Sequence, residues 1–522
     1  LGLALQERGD APGAENELRQ ALALDVRSGP TAVALSEQLL TRGAFEEALS
    51  AVAELAKAPD ADIHVLTAQA FALKAMQRFD EAEIAFERAT RADPHSGVAE
   101  HNLAALHADM ERFALSEAAT RRAFAKGLDS AETWLVHARA LLGLGRHDEA
   151  EVAFHEVIRR RPDHVDAHAE LAQLIWMRTE DWPRAIQALD AAVADYPSLQ
   201  ALALKKAEFL QYVGQSEGAS AAISEISNRP DAEPMIHVVA ARLCSDLQPE
   251  LAVRHAWEAA RALPNDRVAL GALCEAFLAV GDAGEALKVA GRMLDMAPLD
   301  QHTFGLIATA WRLSGDPRYA TLHDYESLVR TSRIDTPDGW PSLEAFLVAL
   351  AVSLERLHGF KTHPIGQSVR RGSQTSCSLT LSEDPVIKAF FAAIDGPIRR
   401  HMAALGTGRD PVRSRNTGDY RFNGVWSVRL RPDGYHSNHL HPRGWLSSAC
   451  YIALPSAVDR GHEGWLKFGE PGVPTTPMLA PEYFIKPEPG LLALFPSYMW
   501  HGTVPFGGDE PRLTIAFDVV PA

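Results

Sequence analysis

Prolines return along the first part of this chain at a nearly constant spacing, and that spacing limits what it can fold into. Pro94, Pro162, Pro197, Pro230, Pro264 and Pro298 lie 68, 35, 33, 34 and 34 residues apart. The first gap is two periods, with Leu128 where a proline would fall. A fixed period of this size is the signature of stacked helical hairpins, each too small to bury its own apolar face. Proline ends the second helix of each hairpin, because it lacks an N–H donor and its ring clashes with the preceding turn. The stretch FDEAEIAFERATRADP places Ala82, Phe86 and Ala89 ahead of Pro94. In WLVHARALLGLGRHDEAEVAFHEVIRRRP the same positions hold Ala150, Phe154 and Val157 before Pro162, preceded by Trp134, Ala138 and Leu141. GDAGEALKVAGRMLDMAP supplies Ala286, Ala290 and Met293 before Pro298. Small residues let neighbouring helices approach while larger ones fill the groove between them.

This pattern resembles the tetratricopeptide repeat family over residues 1–315, about nine units, with the first two and the seventh the faintest. The resemblance implies an α-solenoid that binds a peptide or protein along its concave face. His64, His101, His107, His137 and His168 fall on the helical pattern without close shared spacing and read as packed or exposed helix residues.

Composition narrows the function classes. Hydrophobic content of 47% and charged content of 23% are ordinary for a globular protein. No apolar run approaches the ~18 to 20 residues of a membrane span, and the opening LGLALQERGD has neither the basic start nor the long apolar core of a secretory signal. Cys244, Cys274, Cys377 and Cys450 are scattered without a CxxC pair, which argues against a thiolate zinc site and a disulfide framework. A reducing, cytoplasmic setting is expected. The net charge of −17 is uneven: residues 341–522 hold 18 Lys+Arg against 16 Asp+Glu, leaving 33 against 52 in residues 1–340. An acidic repeat region repels phosphate and disfavours nucleic acid, and it favours a basic segment in a peptide partner.

Near residue 340 the texture changes, which divides the chain into a helical region, 1–335, and a second domain, 340–522. SLEAFLVALAVSLERLHGF and PVIKAFFAAIDGPIRRHMAAL read as two more helices, with the polar HPIGQSVRRGSQTS between them. From about residue 420 the pattern turns to short strands: RFNGVWSVRLRP, a PDG turn, YHSNHLHP, WLSSACYIALP, GWLKFG, GLLALFPSYMWHG and RLTIAFDVV. The fold class expected is multidomain α + β, an α-solenoid followed by an antiparallel double-stranded barrel with flanking helices.

Within that barrel His439 and His441 are two apart, so on a strand both side chains point the same way. His501 follows some 60 residues later at the end of an apolar strand, and Arg512-Leu513-Thr514 opens the last strand. Two histidines and a third ligand on one face of a metal leave positions open for substrate and oxygen. A buried guanidinium beside a hydroxyl is a clamp for a carboxylate. A lone HxH is more often incidental; the later arrival of His501 and Arg512 on strand-like segments favours a metal site.

In order, GYHSNHLHP, SSACYI, GLLALFPSYMWHGTVPF and RLTIAFDV resemble the 2-oxoglutarate and Fe(II)-dependent oxygenase family, within the double-stranded β-helix (jelly-roll) superfamily. HPIGQSVRRGSQT resembles the lead-in of members that carry tetratricopeptide repeats. The resemblance, covering residues 340–522, implies that His439 and His501 ligate Fe(II), and that Arg512, helped by Thr514, grips the distal carboxylate of 2-oxoglutarate. It further implies that dioxygen oxidises 2-oxoglutarate to succinate and carbon dioxide while a substrate is hydroxylated, one oxygen atom going to succinate and the other to the hydroxylated product. The wider superfamily's usual middle ligand is Asp or Glu, where this chain has His441. Three readings stay open: His441 ligates, it stands back with water in its place, or the metal has been lost. The one-residue spacing favours ligation.

His436 is out of phase with the pair and reads as supporting or exposed; Trp445 and Trp500 read as core or pocket wall; His462 and Glu463 sit in a glycine-bounded loop and read as solvated. The function expected is a 2-oxoglutarate-dependent hydroxylase acting on a peptide or protein brought by the repeats. Two alternatives remain: a scaffold with a degenerate barrel, and a three-histidine dioxygenase that does not use 2-oxoglutarate.

Overall fold

The structure, a computed structural model, describes residues 2–8 and 10–522. It forms two compact units, Leu1–Ala167 and His168–Ala522. The first is a run of helical hairpins, including Ile63–Ala75 with Phe79–Ala92 and Ala131–Gly143 with His147–Arg160. In the second unit the hairpins continue to Ala283–Met296, and a closing helix, Gln301–Ser314, follows before the chain turns to strands. No described helix is long and apolar enough to cross a membrane.

The proline period coincides with helix ends. Helices stop at Ala92, Arg160, Asp195, Ala262 and Met296, each two residues before its proline. The small and large positions read from the repeats are buried: Ala82, Phe86, Ala89, Ala150, Phe154, Val157, Ala286, Ala290 and Met293 are at most 1% exposed. A second periodicity accompanies them. The turns inside the hairpins use a left-handed residue at Gly43, Gln77, Glu111, Gly145, Glu180 and Gly214, the conformation that commonly closes a helix C-terminus.

The β-rich part of the second unit holds nine strands. They are β1 Arg330–Arg333, β2 Val369–Gln374, β3 Tyr420–His436, β4 Leu446–Ala453, β5 Leu466–Phe468, β6 Tyr483–Ile485, β7 Leu491–Pro496, β8 His501–Thr503 and β9 Arg512–Pro521. They make a six-stranded sheet in the order β1-β7-β4-β9-β3-β2 and a three-stranded sheet in the order β6-β5-β8. All the pairings are antiparallel. The helices Leu343–Glu355 and Pro385–Leu405 pack against the larger sheet, sharing a core with Leu492, Leu494, Leu513, Ile515 and Phe517.

Three local readings of the sequence change. The PDG segment is not a turn: β3 runs through it to His436, and Asp433 takes a positive φ of 61° at a register shift against β2. That is a β-bulge, where the extra residues bend the strand without reversing it. The polar stretch after His363 contains strand β2, and β1 precedes the composition switch. The apolar strand β7 stops at Pro496, so His501 does not end it but opens β8 in the other sheet.

One buried charge group ties the closing helix to its neighbours. Glu275 accepts from Arg242 Nε at 2.9 Å and lies 3.4 Å from His302 of the closing helix. Burial pushes the Glu275 carboxyl up, but Arg242 and His302 outweigh it and hold it at about 2, below its ordinary 4.5. A carboxylate with a depressed folded pKa stabilises above its unfolded pKa and loses that contribution as pH falls through the folded value. The stability of the second unit should therefore fall as pH drops from about 4.5 through about 2. Urea unfolding followed by circular dichroism should show a shallower acid slope for Glu275→Gln; an unchanged slope would remove this ion pair from the acid response.

Candidate metal centre

After β3 the chain stays extended and meets the start of β8. His439 N–H donates to His501 O at 2.9 Å, and His501 N–H returns a bond to His439 O at 3.0 Å. Two residues on, His441 N–H donates to Ser497 O at 2.9 Å. Backbone pairing thus sets the HxH segment beside the turn that leads into His501. The ring centroids of His439 and His501 are 4.2 Å apart, with His441 at 5.1 Å from the first and 5.2 Å from the second. One ring nitrogen from each lies within 4.8 Å of the others, which no other trio of potential ligands does among the described residues.

The opposite nitrogens are occupied. Nδ1 of His439 lies 2.8 Å from Ser437 O, Nδ1 of His501 lies 2.9 Å from Met499 O, and Nδ1 of His441 lies 2.7 Å from Asp518 Oδ2. Each acceptor calls for an N–H, so these bonds assign the Nδ1–H tautomer and leave Nε2 with its lone pair. Burial, reinforced by the neighbouring histidines, pushes His439 down to about 3 and His501 well below its ordinary value. Both rings are therefore neutral at pH 7, the form that binds a cation. His436 stands beside them, its ring 5.9 Å from that of His439, and the Ser368 hydroxyl bridges the two at 3.1 and 3.3 Å.

The residues between and beside the histidines anchor the segment from below. Leu440 and Trp500 are buried against Leu306, Ile307 and Ala310 of the closing helix. Trp500 Nε1 donates to Gly305 O at 3.2 Å and Thr309 Oγ1 at 3.0 Å. A Cβ at Gly305 would run into Leu440 Cδ2. Trp500 is thus fixed to the helix, while Trp445 is core, 1% exposed and bonded to Val412 O at 2.9 Å. In the glycine-bounded loop, His462 stacks on Phe484 at 4.3 Å, and Glu463 accepts from Gly507 N at 2.7 Å.

A cavity of about 630 Å³ opens over the histidines, lined by both sheets. Strand β9 explains how it is furnished, because alternate residues of a strand face opposite ways. Leu513, Ile515, Phe517 and Val519 join the helix-covered core. Arg512, Thr514, Ala516 and Asp518 line the cavity. Arg512 is only 2% exposed. Its guanidinium lies 5.1 Å from the centre of the Tyr451 ring, no carboxylate neighbours it among the described residues, and burial lowers its pKa. Its Nε and the Tyr451 hydroxyl are both sealed from solvent, with no hydrogen-bond partner among the described residues beyond the contact between these two side chains. Burial pushes the Tyr451 phenol up to about 12, so it is a protonated donor at neutral pH.

Against known families, the one described as Putative 2OG-Fe(II) oxygenase matches residues 424–518, and the one described as Tetratricopeptide repeat matches residues 33–97 and 135–199. These matches show tetratricopeptide repeats within residues 33–199 and, at residues 424–518, a C-terminal domain similar to the family described as Putative 2OG-Fe(II) oxygenase. Solved structures similar to its helical part include MamA (41-end) from Desulfovibrio magneticus RS-1, at 19% identity and a TM-score of 0.30 over 33% of this chain and 96% of that one. Another is a thermophilic TPR protein of Thermus thermophilus, at 21% identity and a TM-score of 0.30 over 34% and 95%. A tetratricopeptide repeat protein from Parabacteroides merdae ATCC 43184 shows 16% identity and a TM-score of 0.34 over 52% and 94%. No curated protein matches the chain.

The donor set of this domain fits a divalent cation: three imidazole nitrogens on one side, an open cavity on the other. It also has a carboxylate close by. Asp518 accepts from His441 Nδ1 and, at 2.7 Å, from Ser447 Oγ. A carboxylate behind a ligating imidazole fixes its tautomer and raises its basicity. Asp518 went unread in the sequence, although its place two and four residues beyond Ala516 and Thr514 puts it on the same strand face. Ser368 and Tyr451 had no such cue, since only long-range pairing brings them here. Asp518→Asn should weaken Mn(II) or Fe(II) binding about 10- to 100-fold by anaerobic calorimetry. Gly305→Ala should also weaken it, with far-UV circular dichroism unchanged; full affinity in that variant would show that the helix contact does not set the ligand geometry.

Proposed function

We propose that the chain is a 2-oxoglutarate- and Fe(II)-dependent dioxygenase that hydroxylates a peptide or protein substrate recruited by its repeats. The observation that carries this reading is the buried guanidinium of Arg512, without an acidic partner among the described residues, in the same cavity as three convergent imidazoles. A sealed cation without a counter-ion is costly in a protein interior. A co-substrate carboxylate would neutralise it, and would accept from Arg512 Nε and the Tyr451 hydroxyl as well.

On this reading His439, His441 and His501 hold the metal through Nε2, and the double-stranded β-helix is the scaffold that converges them. Fe(II) together with 2-oxoglutarate supplies the oxidation of a substrate C–H bond by dioxygen. Arg512 holds the distal carboxylate, with Thr514 beside it on the same strand face. Ser437 O, Met499 O and Asp518 keep the three rings in the tautomer that presents Nε2. The carboxylate absent from the middle ligand position is then present one residue deeper, as Asp518, so a negative charge stays close to the metal while His441 ligates. Phe495 and Trp426, which also line the cavity, restrict water there. Residues 1–335 serve as the recognition part and 340–522 as the oxidising part.

Arg512→Gln should lower 2-oxoglutarate affinity about 100-fold, the scale for removing one partner of a buried charged pair. Metal affinity should persist, and Arg512→Lys should not restore the co-substrate, because an ammonium lacks the planar fork. Calorimetry with Mn(II) in place of iron reads both affinities. Turnover that proceeds normally without 2-oxoglutarate would overturn the reading in favour of a three-histidine dioxygenase; absence of metal binding would favour a scaffold.

A further inference from the structure

Once Arg512 is assigned to the co-substrate, the cavity still carries surplus positive charge. Its lining holds three arginines, Arg370, Arg443 and Arg512, against a single carboxylate, Asp518. That carboxylate is spent: one oxygen accepts from His441 Nδ1 and the other from Ser447 Oγ. Arg443 is exposed at the rim. Arg370 is different, since it is half-buried and held in a defined pose.

Two contacts define that pose. The Arg370 guanidinium lies 5.2 Å from the centre of the Tyr212 ring, at the end of the helix Gln200–Tyr212, and Tyr212 lines the same cavity. Stacking on the aromatic face fixes the plane of the group. Arg370 Nη1 donates to Gln367 O at 2.6 Å and to Val369 O at 2.9 Å. Those bonds use both hydrogens of Nη1. They leave the parallel N–H groups of Nε and Nη2, the side-on edge that takes a carboxylate in two bonds. No acidic side chain pairs with Arg370 among the described residues. Arg370 also follows Ser368, the residue bonded to His436 and His439, by two positions. Arg370 thus lines the same cavity as the histidines.

We propose that Arg370, oriented by Tyr212, is the specificity determinant of the cavity and selects a substrate residue bearing a carboxylate, an aspartate or glutamate side chain in a peptide. This rests on the oxygenase reading for what happens to that residue once bound. It separates two preferences that the net charge alone would merge. The acidic repeats favour basic segments along their length, whereas the residue that enters the cavity is acidic. Phosphate also takes a guanidinium edge in two bonds, but it carries about −1.5 to −2 charges, which one unpaired guanidinium matches less well than the single charge of a carboxylate.

The test uses the full chain loaded with Mn(II), with and without 2-oxoglutarate, and blocked pentapeptides that are glycine except for a central Asp, Asn, Lys or phosphoserine. Calorimetry should show the Asp peptide binding at least about tenfold tighter than the Asn and Lys peptides. Arg370→Gln should abolish that preference, Arg370→Lys should keep part of it, and Tyr212→Leu should reduce it. All three variants should retain the wild-type affinity for 2-oxoglutarate, which also reports an intact fold. Equal binding of Asp and Asn peptides, no detectable Asp binding, or a preference that survives Arg370→Gln would overturn the proposal. Loss of 2-oxoglutarate binding in Arg370→Gln would overturn it too, by making Arg370 the co-substrate clamp. A phosphoserine peptide bound more tightly than the Asp peptide would overturn the carboxylate assignment. A wild type that prefers the Asp peptide yet never binds 2-oxoglutarate would sustain the anion site and sink the oxygenase reading alone.

Discussion

Two backbone hydrogen bonds, exchanged between His439 and His501, hold the rest of the site together. They join segments some 60 residues apart without using any atom of either side chain. The side chains are thereby left free to face the cavity, and the third histidine follows from the pairing of His441 with Ser497. Backbone pairing is a stiff way to fix ligands, because strand geometry leaves each Cβ little choice of direction. The outer nitrogens then find oxygen acceptors, two of them carbonyls within two residues of the histidine itself. Local chain geometry and ring orientation are set by the same short stretches.

Charge is distributed over the cavity with equal economy. Its one carboxylate sits behind an imidazole, and among the described residues its guanidiniums have no acidic partner. A pocket left positive in this way is incomplete by itself and favours occupants that carry negative charge. Protein interiors avoid unpaired ions because desolvation is expensive, so their survival at one place points to what binds there.

Much of this was legible in the sequence where the relevant order is short-ranged. The helical period announced itself through prolines and alanines, because each hairpin repeats the same local packing. The HxH pair, His501 and the Arg512–Thr514 face could be read from strand periodicity. The misreadings have physical reasons. Strands β1 and β2 are the two edges of the larger sheet, and edges carry polar residues such as RTSR that look like loop. The PDG segment has turn chemistry, yet pairing of β3 with β2 on both sides of it, at Leu430 and at Tyr435, keeps it running as a bulge. Arg370 and Tyr451 depend on sheet register and on a helix over 150 residues upstream of Arg370 in one case, neither of which a linear pattern encodes.

The closing helix Gln301–Ser314 belongs by position to the helical series and by contact to Leu440 and Trp500, the neighbours of the histidines. Its Gly305 carbonyl and Thr309 hydroxyl receive the Trp500 indole, and its apolar side covers Leu440. Chain surgery at the change of texture near residue 340 would leave that indole facing solvent and the loop it steadies without a floor. Modularity judged from composition therefore misleads: the smallest heritable piece able to keep the three rings in register starts upstream of the seam, and a foreign helical array could be grafted on only by bringing this helix along.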